Sequence, residues 1–282
     1  MEQALNIVVV SFNTRQKTQT CLHSITRYTD RPYHIFVVDN ASTDGSQAMI
    51  LQYQTQYPEI FTVSVLPANI GYSQAVKTVM PHLVPHADVC FINSDVYVGP
   101  AWASRLQRHL YRQHKIAAVA PIARGIGGWQ DILLYHDALC PNEYSEDAVT
   151  SINEIIRDMP VKAITAKFLQ GTMWMIKEEA WQSIGTFDPG CICGADDADW
   201  CLRARLQGRQ LLVALDTFVW HDNHSSFQGL ADQGTAWINQ SWDYFNHKWA
   251  GQFDQLSWDD LMDNQQQTTY PYYRYEEFVD EY

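Results

Sequence analysis

Short runs of β-branched and other apolar residues alternate with helix-like stretches along the first third of this 282-residue chain, and this alternation constrains its fold most. The strand-like runs are residues 7–10, 34–38, 61–66 and 88–92, and the helix-like stretches are residues 14–28, 42–53 and 71–80. Strand and helix in turn at this spacing predict a mostly parallel sheet, flanked by helices and joined by right-handed crossovers. The predicted fold class is therefore α/β.

Polar residues follow each of the four predicted strands. They are Ser11 and Asn13, Asp39 and Asn40, Asn69 and Gly71, and Asn93 and Asp95. Any one of them is explained by turn chemistry, because Asn, Asp, Ser and Gly commonly end strands. In an open parallel sheet, however, ligands bind beyond the carboxyl ends of the strands. Four polar ends in succession therefore predict a binding site along one edge of the sheet.

The pattern is looser after Pro121. Residues 125–129 are glycine-rich, and residues 137–158 are acidic and weakly patterned. The later predicted elements are a strand-like segment at 167–176, a helix at 197–206 that ends at Gly208, a strand within 211–219, and an aromatic-rich helix at 232–249. We predict three parts on this basis. They are a first half at 1–120, a second half at 121–226, and a C-terminal helical extension with a polar, tyrosine-rich tail at 227–282.

The composition limits the location and the partners of the chain. A hydrophobic content of 46% suffices for a substantial core, and a net charge of −13 disfavours an electrostatic grip on nucleic acid. No apolar run reaches the roughly 18 to 20 residues that cross a bilayer, and no basic segment with a cleavable apolar stretch begins the chain. We expect a cytoplasmic protein, with peripheral membrane contact left open. Its six cysteines have no CxxC spacing and indicate neither structural zinc nor a disulfide framework.

Ordered short motifs carry a resemblance to a known family. They are VSFNT at 10–14, VVDNASTDGS at 37–46, NIGY at 69–72, FINSD at 91–95, GTMWMI at 171–176, GTFD at 185–188, DDADWCLR at 196–203 with Gly208, and HDNHSS at 221–226. Each motif is weak alone, but the ordered set over about residues 5–226 resembles glycosyltransferase family 2, and within it the rhamnosyltransferase-like branch. The resemblance implies a GT-A fold, with a nucleotide-sugar-binding first half and an acceptor-binding, catalytic second half.

The resemblance also implies the reaction. A sugar moves from a nucleotide-diphosphate donor to an acceptor hydroxyl by direct displacement with inversion, in polysaccharide or glycoconjugate synthesis. We favour UDP- or dTDP-sugars as donors, since the carboxylate of Asp39 can accept the ring N–H of a pyrimidine base, although it can also accept from guanine. Such chemistry needs a hard cation for the departing diphosphate, here Mn²⁺ or Mg²⁺, and a carboxylate to take the hydroxyl proton. The acceptor is left open between a glycan, a lipid-linked sugar, a protein and a small molecule. By exclusion, it contacts residues 125–129 and the aromatic C-terminal region.

The residue roles come from the same resemblance. Asp39 binds the nucleobase or ribose, Asp95 the metal and diphosphate, and His221 the metal from the far side, while Asp197 is the catalytic base. The donor-binding set is Ser11, Asn13, Asp39, Asn69, Gly71, Asn93, Ser94 and Asp95, and the acceptor-side or supporting set is Trp174, Asp196, Asp199 and His224. Asp199 and Arg203 look more structural than catalytic. Asn93 departs from the family's DxD pattern and supplies no charge, which leaves the choice of cation open.

Simpler interpretations compete with each role. Asp95 could cap a turn, Asp197 could cap a helix, and His221 could be a satisfied polar residue. Trp174 and Trp200 could stack on a sugar, although aromatic burial explains them better.

Other classes of protein also fit parts of the pattern. A nucleotidyltransferase is expected to have a glycine-rich basic loop after the first strand, and a dinucleotide-dependent oxidoreductase a GxGxxG there. Residues 11–15 contain no glycine, which disfavours both. An inactive nucleotide-sugar-binding module would have lost the acidic pair or Asp95, and both are present. A glycoside hydrolase with two carboxylates is a further alternative.

Overall fold

The computed structural model describes residues 4–139, 141–222, 231–250 and 272–274. The strands are β1 Ala4–Ser11, β2 Tyr33–Asp39, β3 Phe61–Val65, β4 Ala87–Asn93, β5 Val96–Tyr97, β6 Ile116–Ala123, β7 Val161–Ala166, β8 Met173–Ile176, β9 Gln210–His221 and β10 Tyr272–Arg274. The helices are α1 Arg15–Tyr28, α2 Ser46–Gln56, α3 Tyr72–Val79, α4 Trp102–Leu110, α5 Leu133–His136, α6 Glu146–Arg157, α7 Glu178–Ile184, α8 Asp196–Leu206 and α9 Ala231–Trp249.

The four strands predicted at the start of the chain form one parallel array in the order β3-β2-β1-β4. Its register pairs Ser11 with Asp39 and Val10 with Asn93. The polar residues that end these strands consequently meet at one edge. The predicted α/β sheet with flanking helices is confirmed.

The sheet becomes mixed beyond β4. Strand β8 is antiparallel to both β4 and β6, β9 is parallel to β6, and β7 is antiparallel to β9. The strand predicted at 167–176 is present only as Met173–Ile176. Antiparallel pairing in this half therefore departs from the parallel pattern of the first four strands.

Helix α6 falls in the stretch that the sequence pattern left unassigned. Ser145 caps it, since its Oγ accepts a hydrogen bond from the amide of Ala148 at 3.1 Å. Val149, Ile152 and Ile156 are buried at a helical spacing of three and four residues. Buried Asn153 and exposed Ile155 obscure this periodicity in the sequence.

Helix α2 begins at Ser46, four residues after the predicted start. Gly45 has a φ of 89°, a left-handed conformation that the helix cannot include. Asp44 closes the turn, because its Oδ1 accepts hydrogen bonds from the amide and the hydroxyl of Ser46.

Helix α9 confirms the predicted C-terminal helix. It docks on α8 through a small hydrophobic cluster of Cys191, Ala195, Ala198, Leu202 and Phe245, separate from the main core that both faces of the sheet share. None of the helices in the described part of the chain has the length and apolar character to cross a membrane. The predicted tyrosine-rich tail lies outside the described residues apart from β10.

Candidate active site

A cavity of about 430 Å³ opens at the carboxyl edge of the parallel strands. Of the residues predicted for the site, those that line it are Asn69, Gly71, Asn93, Ser94, Asp95, Asp196, Asp197 and His221. The other predicted residues among those described are Ser11, Asn13, Asp39, Trp174 and Asp199, and none of these belongs to the lining. His224 lies outside the described residues. The fold thus gathers polar groups from strand ends in the first half and from α8 and β9 in the second.

Asn40 joins two neighbouring loops of the donor-side edge. Its Nδ2 donates to Asn69 Oδ1 at 2.8 Å, and its Oδ1 accepts from the amide of Ile70 at 3.1 Å. Asn69 Oδ1 also accepts from the amide of Gly71 at 3.0 Å. These three bonds fix the loop before α3 against the end of β2.

Gly71 is required where this loop meets the loop before α8. Its φ is 82°, and an added Cβ would lie 2.6 Å from the backbone oxygen of Ile192. The same oxygen accepts a hydrogen bond from the amide of Tyr72 at 2.8 Å. A larger residue at position 71 would push apart the two segments that enclose the cavity.

Asp39 is fully buried and only half satisfied. Its Oδ2 accepts a hydrogen bond from the amide of Ser42 at 3.1 Å. Its Oδ1 is buried and has no hydrogen-bond partner among the described residues. An unpaired buried carboxylate oxygen is costly and usually marks a place for a ligand or water.

Ser11, Ser94 and Asn13 use their side chains to hold the strand ends together. Ser11 Oγ lies 2.9 Å from Thr18 Oγ1, and Ser94 Oγ lies 3.1 Å from Thr14 Oγ1. Asn13 Oδ1 accepts from the amide of Thr43 at 2.7 Å. These contacts tie β1 and β4 to α1 and to the loop after β2.

Asp95 and His221 face each other across the cavity edge. The pairing of β5 with the end of β9 brings them together, and Asp95 Oδ1 lies 3.5 Å from His221 Nε2. Asp95 is nearly fully buried, and His221 Nδ1 is buried without a hydrogen-bond partner among the described residues. A carboxylate oxygen beside an imidazole with an unsatisfied nitrogen fits a divalent cation such as Mn²⁺ or Mg²⁺.

The described residues contain no cluster of three or more His, Cys, Asp or Glu side chains that could hold a metal. Two protein ligands leave coordination positions for ligand oxygens, which is the usual arrangement for a cation held together with phosphates. The lining also contains three carboxylates, Asp95, Asp196 and Asp197, and no Lys or Arg among the described residues. An anionic diphosphate here would depend on a cation for its neutralisation.

Asp196 and Asp197 stand in the first turn of α8. Ala195, with a φ of 62°, takes the N-cap position, so Asp197 lies inside the helix. Asp197 Oδ2 accepts from the amide of Gly171 at 2.9 Å, and its Oδ1 from the amide of Ala198 at 2.8 Å. Burial raises the pKa of both carboxyl groups, and the neighbouring charge of Asp197 raises the pKa of Asp196 further.

Asp199 is buried and does not belong to the cavity lining. Its Oδ2 accepts from Arg203 Nε at 2.8 Å, and its Oδ1 accepts from Lys248 Nζ at 2.6 Å and Trp249 Nε1 at 3.0 Å. Lys248 Nζ also donates to Asp188 Oδ2 at 2.6 Å. Asp199 therefore binds α9 to the first turn of α8, which carries the acidic pair.

Trp174 and Trp200 lie in the core. Their rings are 5.3 Å apart at an interplanar angle of 85°, and both side chains are fully buried. Trp200 Nε1 donates to the carbonyl of Gly185 at 2.9 Å. Burial rather than sugar stacking accounts for both.

Several lining residues were not predicted one by one. They are Val10, Phe12, Tyr72, Ile126, Phe168, Gln170, Thr172, Cys193, Trp237 and Trp242. The aromatic-rich pattern of 232–249 was the only sequence signal for the last two, and it did not specify which face of α9 turns to the cavity. Gly125 and Ile126 belong to the glycine-rich segment expected on the acceptor side.

The first half is a parallel sheet with a cavity at its carboxyl edge, and the second half has a mixed sheet and an acidic first turn of α8 that lines the same cavity. This arrangement defines the class of GT-A glycosyltransferase folds. The chain belongs to glycosyltransferase family 2, since the model of that family matches residues 6–185.

Two curated relatives show how far the likeness extends. The chain is 30% identical over 140 residues to the N-acetylglucosaminyl-diphospho-decaprenol L-rhamnosyltransferase of Mycobacterium tuberculosis. The aligned stretch covers 45% of this chain and 44% of the relative. It is 19% identical over 227 residues to glycosyltransferase AglE of Haloferax volcanii, 77% of this chain and 66% of the relative. The match thus spans less than half the length of the mycobacterial enzyme.

Solved structures share the fold. GalNAc-T7 with UDP, GalNAc and Mn²⁺ aligns with a TM-score of 0.64 at 14% identity, over 88% of this chain and 50% of that chain. The mannosyltransferase PcManGT from Pyrobaculum calidifontis with GDP-Man and Mn²⁺ aligns with a TM-score of 0.61 at 16% identity, over 87% of this chain and 62% of that chain. At these identities the likeness is one of fold.

Proposed function

We propose that this protein is an inverting, metal-dependent glycosyltransferase that moves a sugar from a nucleotide-diphosphate donor to an acceptor hydroxyl. One observation carries the proposal. A single cavity joins the polar strand ends of the first half to the acidic pair of α8, with three carboxylates and no Lys or Arg among its described lining residues. Such a lining suits a diphosphate neutralised by a cation and a hydroxyl that must lose a proton.

The donor is held at the strand edge. Asp39 lies outside the cavity lining but directly before the lining residue Asn40, and we assign its unpaired Oδ1 to a ring N–H of the base or to a ribose hydroxyl. We favour UDP- or dTDP-sugars, because a uracil or thymine N–H matches a single free acceptor. GalNAc-T7 was solved with UDP and the mannosyltransferase with GDP-Man, so the fold admits both nucleotides. Calorimetric titration with UDP, dTDP and GDP in the presence of Mn²⁺ tests this, and clearly tighter GDP binding overturns it.

Asp95 and His221 would hold the cation, with Asn93 and Ser94 beside them in the lining. When bound there, Mn²⁺ or Mg²⁺ neutralises the charge that builds up on the departing diphosphate. Asn93 adds no charge to the pair, so its part is to orient the donor by hydrogen bonding.

Asp197 is the proposed base. The acceptor oxygen attacks the anomeric carbon, the bond from that carbon to the diphosphate oxygen breaks with its electron pair, and the hydroxyl proton passes to an oxygen of Asp197. Burial raises the pKa of Asp197, which makes the ionised carboxylate a stronger base. The bonds from Gly171 and Ala198 keep the carboxylate in one orientation.

The acceptor is proposed to be a glycan or another glycoconjugate precursor in a cytoplasmic pathway, with peripheral membrane contact if the acceptor is lipid-linked. The mycobacterial relative is named for transfer of L-rhamnose to a diphospho-decaprenol-linked sugar, which supports this class of acceptor. The division into a donor part at 1–120, an acceptor part at 121–226 and an extension at 227–282 remains a prediction.

A donor-by-acceptor screen scored by mass spectrometry tests the function, with Asp197→Asn as the matched control. We expect a mass increase of one sugar that requires donor, acceptor and cation, and that falls sharply in the variant. Thermal shift and pyrophosphate-release measurements separate the alternatives. Stabilisation by nucleotide diphosphate with Mn²⁺ but no transfer to any acceptor would indicate an inactive binding module, and pyrophosphate release from a nucleoside triphosphate would indicate a nucleotidyltransferase.

A further inference from the structure

Helix α9 contributes aromatic side chains to one wall of the cavity. Trp237 and Trp242 line the cavity together with Phe168. Trp242 packs against the hydrophobic cluster between α8 and α9, and its ring centroid lies 5.5 Å from that of Phe245 at an interplanar angle of 76°. Trp237 belongs to neither hydrophobic cluster.

Among the residues that the structure describes, no hydrophobic cluster includes the indole of Trp237. It is half-buried and makes no hydrogen bond or ring contact with the residues that the structure describes. By contrast, Trp102, Trp174 and Trp200 are fully buried in the main core. A large flat apolar side chain that lines a cavity and is only half-buried is the kind of surface that ligands use.

The position of Trp237 relative to the acidic pair is fixed by hydrogen bonds. Ser241 Oγ donates to the carbonyl of Trp237 at 2.7 Å and accepts from the amide of Cys193 at 3.1 Å. Cys193 lies in the loop that leads into α8 and itself lines the cavity. At the other end of α9, the ion pair of Lys248 with Asp199 binds the two helices. Trp237 is therefore attached to the segment that carries Asp196 and Asp197.

We propose that Trp237 is the stacking surface for the pyranose ring of the acceptor. The proposal rests on the function proposed above and adds the residue that holds the acceptor sugar. A pyranose has a face of C–H bonds that packs on an indole and a rim of hydroxyls that needs polar partners. The wall around Trp237 supplies both, with Asp196, Asp197 and Gln170 as the polar groups.

A sugar ring suits this wall better than a lipid chain. The group beside Asp197 must present the reacting hydroxyl, so the aromatic side chain in the same cavity contacts the ring that bears it. Buried carboxylates beside an alkyl chain would lose hydration without gaining hydrogen bonds. Stacking on one aromatic face contributes enough to change affinity by about 3- to 10-fold.

Saturation-transfer NMR on the full chain, loaded with UDP and Mn²⁺, tests the subsite. The probes are methyl glycosides of glucose, N-acetylglucosamine, mannose and rhamnose, and 1-octanol serves as the apolar-chain probe. We expect at least one glycoside to bind with the strongest saturation on the C–H protons of one ring face. Trp237→Ala raises the Kd of that glycoside by about 3- to 10-fold, and Trp237→Phe retains most of the affinity.

Tyr57→Ala is the matched control, because Tyr57 is 37% exposed at the end of α2 and is not part of the cavity lining. Equal glycoside affinity in wild type and Trp237→Ala would overturn the proposal, as would binding of 1-octanol without any glycoside. UDP binding is measured on the same samples. If Trp237→Ala weakens glycoside binding but wild type does not bind UDP, the result counts against the proposed function alone. If wild type binds UDP but Trp237→Ala leaves glycoside binding unchanged, the result counts against the subsite alone.

Discussion

The two walls of the cavity are built in different ways. On the strand side, parallel register converts position in the sequence into position in space, so that Ser11 lies beside Asp39 and Val10 beside Asn93. On the helix side, the acidic turn of α8 is backed by α9, whose Lys248 lies 49 residues from its partner Asp199. The first wall needs only a sheet, whereas the second needs two helices to dock through a separate small core.

The largest expected effect is on the strand side. Chelation with EDTA should abolish transfer, because the described lining offers no Lys or Arg to neutralise the diphosphate in place of a cation. Added Mn²⁺ or Mg²⁺ should restore it, as measured by product formation in the mass-spectrometric assay. Full activity in excess EDTA would remove the cation from the proposal.

The next largest effect concerns the helix side. Asp197→Asn should lower kcat by about 10² to 10⁴, since general-base assistance is worth that factor. The amide keeps the volume and can still accept the bond from Gly171, so binding of UDP with Mn²⁺ should stay nearly unchanged in calorimetry. Asp196→Asn is the matched control with a smaller expected loss, and a reversed order would assign the base to Asp196.

Lys248→Met tests the link between α8 and α9. The change keeps the apolar stem but removes the charge that faces buried Asp199, which still retains Arg203. We expect a loss of about 2 kcal/mol in the free energy of unfolding from urea titration, since breaking a partly buried ion pair is costly. Arg157→Ala removes the exposed pair with Asp158 and should leave the urea midpoint unchanged. Equal midpoints for Lys248→Met and wild type would show that α9 docks without this pair.

The smallest expected effect is a pH dependence of stability that comes from the acidic pair. Burial and the charge of Asp197 raise the pKa of Asp196 in the folded state, so the folded protein binds a proton more readily than the unfolded chain. Wild type therefore loses stability as the pH rises from the ordinary Asp range through the raised pKa. Asp196→Asn lacks this loss and should be more stable than wild type at pH 8 by about 1 kcal/mol, but not at pH 4. Urea unfolding at both pH values measures it, and a gap that does not grow with pH would contradict the raised pKa.

Much of the strand wall could be predicted from the sequence. The β-branched runs and the Asn, Asp, Ser and Gly residues that end them are local signals, and the parallel register then places those ends together. The sequence did not show which polar residues at the strand ends line the cavity and which hold the loops together. Ser11 and Asn13 hold loops together, whereas Asp95 and Asn93 face the cavity.

The sequence by itself determined the α/β class, the alternation of strands and helices in the first third of the chain and the positions of the acidic motifs, because each depends on local patterns of residues. Tertiary structure alone decided the antiparallel insertion of β8 between β4 and β6, the approach of His221 to Asp95, and the exposure of Trp237 on α9. Those features depend on long-range packing, in which one helix or strand can present any of its faces to a distant partner. Periodicity shows that a helix has an apolar face, but only docking decides which of its aromatic residues fills a core and which remains open to a ligand.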